Sequence, residues 1–398
     1  MSKTKFQKLS NKALVALALE CGLKRSGTKP ELQATLKSVL ESHPVVPPKT
    51  LRITSVDMGV RNLSVCQLSL ERCRVNESAK KTKKAKESSE ESTPSEISVA
   101  SVSAWSTRDI SEFSASPGAT QDDIPWDLRN DSLLEVAYNF VSRELLGANV
   151  AEKPHVILLE RQRHRSQGSP SVLEWVFRVN MFESILAGTV YTYKQRTIDM
   201  NGSQDPTKSD HNTDLFRVDP RMVADYFIRG KRAKGKKFDI KAEKIGVVGQ
   251  WLEAESRNVP EFEDMIQKEA VAEKPKPKKK RKSKKDAEEV EVEEVVTKPK
   301  ITMKPIVTRD LKHIPGFSAL TPQLLSLSSH LEVMSSILAK KRFNSVKSKK
   351  ADDVADSLLQ ALAWYNWQYN REYLRELLEN EDDERWLEVN GWVKDNVE

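Results

Sequence analysis

Residues 51–70 read LRITSVDMGVRNLSVCQLSL, and the fold turns on how they pair. Leu51, Ile53 and Ser55 fall on one side of an alternating pattern, and Arg52, Thr54 and Val56 on the other. β-Branched residues are frequent and the run ends at Met58-Gly59. This predicts a buried strand, a tight turn at Gly59 and a second strand over 62–70. Asp57 stands where the first strand runs out. A carboxylate there is costly unless paired. It either starts a turn by bonding its own backbone or awaits a partner or cation.

The chain of 398 residues has room for two or three domains. Charged residues make up 31% and apolar ones 38%, so folded parts are expected to alternate with unfolded ones. Net charge is +7, with Lys and Arg clustered, which favours a polyanionic partner without naming it. The cysteines, Cys21, Cys66 and Cys73, are odd in number and lack CxxC spacing, which argues against a disulfide framework. No apolar window reaches the roughly 18 residues of a membrane span, so no membrane partner is expected. Lys3, Lys5, Lys8 and Lys12 precede the first acid, Glu20, a weak organelle-targeting pattern.

Residues 9–43 form a small helical unit. Leu9, Leu14, Leu17 and Ala18 mark one helix, closed by Cys21-Gly22-Leu23 with Gly22 as a left-handed cap. Pro30-Glu31 opens a second helix with Leu32, Leu36, Val39 and Leu40 on its apolar face. The stretch LECGLKRSGTKPELQATL, 19–36, resembles the SAP module, which binds duplex DNA. That resemblance implies phosphate contacts from Lys24, Arg25, Lys29 and Lys37. A proline linker, 44–50, follows.

The main domain is read over 51–370. Charged, aperiodic insertions are expected at 77–96 and about 230–300, the second with room for one helix around Ile240–Trp251. A third strand is predicted at 97–105, an amphipathic helix at 125–146 and a doubly buried strand at 154–160. A helix at 169–188 and a strand at 189–193 follow. Leu215–Val218 either continues that strand or lies beside it, and Pro220 opens a short helix to Phe227. The run 274–285, nine of twelve residues Lys or Arg, reads as a mobile tether, a nuclear localisation signal or a phosphate-binding arm. A last helix of the domain starts near Lys350, and 371–398 reads as a further helix and tail with Trp386 and Trp392.

Acids stand at three telling places. Asp57 ends the first strand, Glu160 ends the fourth, and Asp352, Asp353 and Asp356 head the last helix. Asp356 shares a helix face with Asp353 and with Asp352. The helix dipole explains one or two acids at an N-terminus, but not acids ending two buried strands. Clustered carboxylates repel unless cations sit among them, and hard oxygen donors suit Mg2+ or Mn2+. Two such ions about 4 Å apart can drive an in-line phosphoryl displacement. There is no P-loop, no GxSxG elbow and no zinc spacing, so no small-molecule cofactor is expected.

The strand order and acids resemble the RNase H-like fold of the superfamily that includes RuvC-type resolvases. The strings DMGVRNLS, LLERQRHRS and KKADDVADSLLQALAW, with the SAP-like unit before them, resemble the fungal mitochondrial Holliday junction resolvases. The likeness covers 9–43 and most of 51–228 and 345–370. It implies an α/β fold, a mixed sheet flanked by helices, and a Mg2+- or Mn2+-dependent endonuclease with two ions per site. The ligands would be Asp57, Glu160, Asp353 and Asp356, with Asp352 competing for the place of Asp353. Arg161, Gln162, Arg163 and Arg165 on one side and Lys347, Lys349 and Lys350 on the other would meet DNA phosphates. The implied partners are four-way DNA junctions and a second copy of the chain, since two symmetric cuts need two sites. The helices at 127–146 and 171–188 are candidates for that interface. The implied compartment is the mitochondrion. An RNA–DNA hybrid nuclease of the same fold and a non-catalytic junction-binding protein are the rival readings.

Overall fold

The computed structural model describes residues 4–41, 50–59, 63–75, 95–113, 130–146, 153–162, 174–201, 213–228, 239–256, 337 and 351–379. The centre is a five-stranded sheet in the order β3-β2-β1-β4-β5. Its strands are β1 (Thr50–Asp57), β2 (Leu63–Val75), β3 (Ser95–Arg108), β4 (Val156–Glu160) and β5 (Asp214–Val218). β1, β2 and β3 pair antiparallel, as hairpin-like neighbours do, while β4 and β5 run parallel to β1. This mixed order is the RNase H-like arrangement. The expected central place of the opening strand follows from its pairing with β2 on one edge and β4 on the other.

Period-two alternation splits the core. Leu51, Ile53, Cys66, Leu68, Val156 and Leu158 pack on one face beneath α6 (Pro220–Phe227), α7 (Ile240–Ser256) and α8 (Ala351–Glu379). Val56, Leu63, Val65, Ile157 and Leu159 pack on the other face beneath α4 (Asn130–Phe140) and α5 (Glu174–Asn201). α4 closes with a π-helical turn, Val141–Leu145. No helix among the described residues is long and apolar enough to cross a membrane.

The small N-terminal unit contains α1 (Thr4–Gln7), α2 (Asn11–Glu20) and α3 (Lys29–Glu41). Ser10 caps α2 by accepting from Ala13 N–H at 3.1 Å. Gly22 ends that helix at φ +61°, as its left-handed cap requires. A Cβ on Gly22 would overlap the Trp367 indole, so the position needs glycine for space as well as for conformation. The unit shares its core with Leu374, Leu377 and Leu378 at the far end of α8. Asn370 Nδ2, Arg371 Nε and Arg375 Nε also donate to the carbonyls of Glu20, Cys21 and Leu40, at 2.7, 2.9 and 2.7 Å.

Three expectations change. Residues 189–193 are helix, not strand, because α5 continues to Asn201. The buried stripe Val179, Phe182, Leu186 and Val190 keeps helical spacing through the β-branched residues. Thr189 and Thr192 return their hydroxyls to the carbonyls of Ile185 and Gly188, at 2.8 and 2.9 Å. β5 therefore stands beside β4 in its own right, pairing Glu160 with Val218. Finally, α8 is one helix across residue 370, because its buried face turns from the sheet toward the N-terminal unit instead of ending. The insertion at 77–96 (apart from the opening of β3), the run 274–285 and both Trp386 and Trp392 lie outside the described residues.

Candidate active site

Sheet register brings the two strand acids together. Asp57 has the parity of Ile53 and Ser55, and Glu160 that of Val156 and Leu158, so both carboxylates lie on the α8 face. The parallel register Val56↔Leu159 makes them neighbours at the same end of adjacent strands. Asp57 is buried, with 7% of its surface exposed. Burial and the hydrogen-bonded, like-charged Glu160 hold its carboxyl well above the usual range, and Asp356 and Asp353 push the same way.

The head of α8 closes over this pair. Ser357 Oγ meets Ser64 Oγ at 3.1 Å, and Ser64 is the β2 residue opposite Asp57. Trp105 Nε1 donates to the Val354 carbonyl at 3.0 Å. These bonds fix the first turns of the helix, where Asp352, Asp353 and Asp356 project. Burial and then Asp352 push Asp353 up to about 7, against the pull of Lys241. Burial also pushes Asp356 up to about 6, with Lys244 opposing and Glu160 and Asp352 adding. Asp352 acts on both Asp353 and Asp356, and Asp353 also adds to the crowding of Asp57.

Two cations enter this cluster from a helix that sequence reading left inside a charged insertion. Lys241 Nζ donates to Asp352, and Lys244 Nζ to Asp356 Oδ2 at 2.7 Å. Lys244 is buried, whereas the Lys241 side chain is 75% exposed. Their i, i+3 spacing on α7 puts both on the face toward α8. That spacing and the apolar period Ile245, Val248 and Leu252 beside it were the available signals, but the charged sequence on either side gave no reason to tie them to the acids.

The donor set fits a hard divalent cation in kind, since every donor is a carboxylate oxygen. Asp356 Oδ1 is also buried without a hydrogen-bond partner, an atom that calls for a cation or water. Among the described residues, no three His, Cys, Asp or Glu side chains are set to hold an ion as they stand. The lysines hold Asp352 and Asp356 instead. Cys21 and Cys66 are buried free thiols, with Cys21 pushed up to about 12 by burial, and neither belongs to the site.

The candidate DNA-contacting residues divide. Lys24 and Lys37 are exposed, and Lys37 reaches Glu41 at 3.5 Å. Arg25 pairs with Asp225 of α6, and Lys29 Nζ donates to the Gln7 carbonyl at 3.0 Å. Arg161 is exposed beside Glu160, but Gln162 turns inward and donates to Glu160 Oε2 at 3.0 Å. Arg163, Arg165, Lys347, Lys349 and Lys350 lie outside the described residues.

Sheet order and acid placement define an RNase H-like protein with a carboxylate cluster at the ends of β1 and β4 and the head of α8. The chain belongs to the family described as mitochondrial resolvase Ydc2 / RNA splicing MRS1, whose catalytic-domain model matches residues 53–374. A relative in Schizosaccharomyces pombe, named cruciform cutting endonuclease 1, mitochondrial, is 31% identical over 182 residues, which is 45% of this chain. The match spans about half of that relative, 54% of its length. The crystal structure of the yeast mitochondrial Holliday junction resolvase Ydc2 aligns with 93% of this chain and 98% of its own, at 19% identity and a TM-score of 0.46. The Thermus thermophilus RuvC structure aligns with 50% of this chain and 81% of its own, at 10% identity and a TM-score of 0.24.

Proposed function

We propose that this chain is a divalent-cation-dependent endonuclease that resolves four-way DNA junctions in mitochondrial recombination. The acid cluster carries the reading: two buried strands of an RNase H-like sheet end in carboxylates beneath a helix headed by three more. The family and the name of the fission yeast relative support junction DNA as substrate and the mitochondrion as compartment.

Asp57, Glu160, Asp353 and Asp356 would hold the ions, Mg2+ or Mn2+, two per site. When bound, such ions supply an activated water and stabilise the leaving oxygen of phosphodiester hydrolysis. The rest falls to the chain. β1 holds Asp57 rigid and dry. Lys244 fixes one oxygen of Asp356 and leaves Oδ1 buried with no hydrogen bond, available to an ion. Arg161 offers an exposed guanidinium to a phosphate next to Glu160. Residues 9–43 would add phosphate contacts through Lys24, Arg25, Lys29 and Lys37. Junction shape would be read mainly through the backbone. A symmetric homodimer would make the paired cuts. Leu134 and Tyr138 on α4 and Phe177 and Tyr191 on α5, all more than half exposed, support those helices as its interface.

The test is cleavage of a four-way junction, plain duplex and RNA–DNA hybrid by the full chain, with Mg2+ or with EDTA. Mg2+-dependent paired cuts confined to the junction are expected. Activity confined to the hybrid, or junction binding without cutting, would overturn the reading. Because the family is described by RNA splicing as well as resolution, structured RNA is a further control. A fluorescent fusion of the full chain separates mitochondrion from nucleus.

A further inference from the structure

Glu183 lies on the buried stripe of α5, between Val179 and Leu186, with 8% of its side chain exposed. A carboxylate in such a place is costly unless its oxygens are used. Both are. Oε1 accepts from Arg217 Nε at 2.6 Å, and Oε2 accepts from the backbone N–H of Gln162 at 3.1 Å. Gln162 in turn donates from Nε2 to Glu160 Oε2 at 3.0 Å. Between them, Arg161 N–H bonds the Val218 carbonyl at 2.8 Å, one step past the paired end of β4. The chain leaving Glu160 is thus pinned from two sides, by β5 and by α5.

We infer that Glu183 is a positioning residue, which fixes the exit of β4 so that Gln162 holds one oxygen of Glu160 and leaves the other for the Asp57 side of the cluster. The inference rests on the reading of Glu160 as an ion ligand. Glu183 touches no reacting atom. It acts through Gln162, as partners behind a ligating carboxylate generally do, and losing such partners typically costs about 10- to 100-fold in ion affinity. Arg217 makes the arrangement directional: by taking Oε1 it leaves Oε2 for the Gln162 amide. Gln162 is therefore assigned to the ligand it follows and not to a DNA contact.

The experiment is Mn2+ titration of the full chain, read by electron paramagnetic resonance, for wild type, Glu183→Ala, Glu183→Gln and Gln162→Ala. Thermal unfolding is recorded in parallel. Glu183→Ala and Gln162→Ala should each weaken Mn2+ binding about 10-fold or more. Glu183→Gln leaves one acceptor oxygen for two donors, Arg217 Nε–H and the Gln162 amide, where the carboxylate offers two, and should weaken binding less than Glu183→Ala. Gln162 is a partly exposed residue at a strand exit, so its variant reports even where Glu183→Ala unfolds. Wild-type Mn2+ affinity in Gln162→Ala, or in a folded Glu183→Ala, overturns the inference while leaving the nuclease reading intact. A wild-type chain that binds no Mn2+ overturns both.

Discussion

The acids of the cluster reach it by two different routes. Asp57 and Glu160 are set by sheet register: equal parity on neighbouring parallel strands leaves them one face and one end. Asp352, Asp353 and Asp356 are set by a helix head, where a turn of 3.6 residues spreads three acids over more than one direction. Of the strand pair, Asp57 is buried, while Glu160 is half-buried and takes a hydrogen bond from Gln162. The helix acids also have Lys241 and Lys244. Register sets the face and the end of the strand on which a carboxylate lies, and Gln162 then holds Glu160, whereas a helix terminus needs a neighbour even to choose among its acids. Here α7 supplies that neighbour.

Substitutions can separate the two routes. The largest effect is expected from Asp57→Asn, a loss of roughly a thousandfold or more in Mg2+-dependent junction cleavage. The variant should unfold at a higher temperature than wild type in EDTA at pH 8, because it removes a buried carboxylate crowded by Glu160. A destabilised Asp57→Asn chain would mean that the strand acid is structural. Among the helix acids, Asp353→Asn should cost roughly a hundredfold and Asp352→Asn nearer tenfold. The ranking rests on Lys241, which takes up Asp352. The reverse order in the same assay would exchange their roles.

Lys244→Met removes one partner of a largely buried pair. It should lower stability by roughly 2–3 kcal/mol in denaturant unfolding, less than the full penalty because Asp356 can take a proton. Lys241→Met should cost much less, since that lysine is mostly exposed. Equal losses would erase the distinction between them.

A smaller effect is expected from pH. Carboxyls raised in the folded chain keep protons that the unfolded chain has released. Without divalent ions, their stabilising contribution is present below the ordinary carboxylate range. It is lost as pH rises through about 6 for Asp356 and about 7 for Asp353. The unfolding temperature in EDTA should therefore fall between pH 5.5 and 8, and Mg2+ should restore it at pH 8. A flat profile would contradict the crowding of these acids.

Much of this arrangement is legible in the sequence. Alternation in 51–57 and the apolar run ending at Glu160 placed both strand acids, because a period of two admits one register for a half-buried strand. Lys241 and Lys244 were not legible as site residues, since the stripe Ile245, Val248 and Leu252 marks α7 as a packed helix but not what it packs against, and the sequence on either side is charged. Glu183 was hidden differently: it sits on the apolar stripe of α5, and only its place between Val179 and Leu186 marks it as a buried acid. Residues 189–193 misled because β-branched content is a weaker signal than a helical stripe that has not yet ended. The far end of α8 looked like a new element because its apolar face changes partner.

The central claim is that strand ends and helix head share one cation site. Replacing the native ion with Fe2+ and generating hydroxyl radicals there cuts the backbone next to the bound ion. The account predicts cuts clustered near residues 57, 160 and 353–356, suppressed by excess Mg2+ and absent from Asp57→Asn. Cuts at only one of these segments, or cuts that survive in Asp57→Asn, would contradict it.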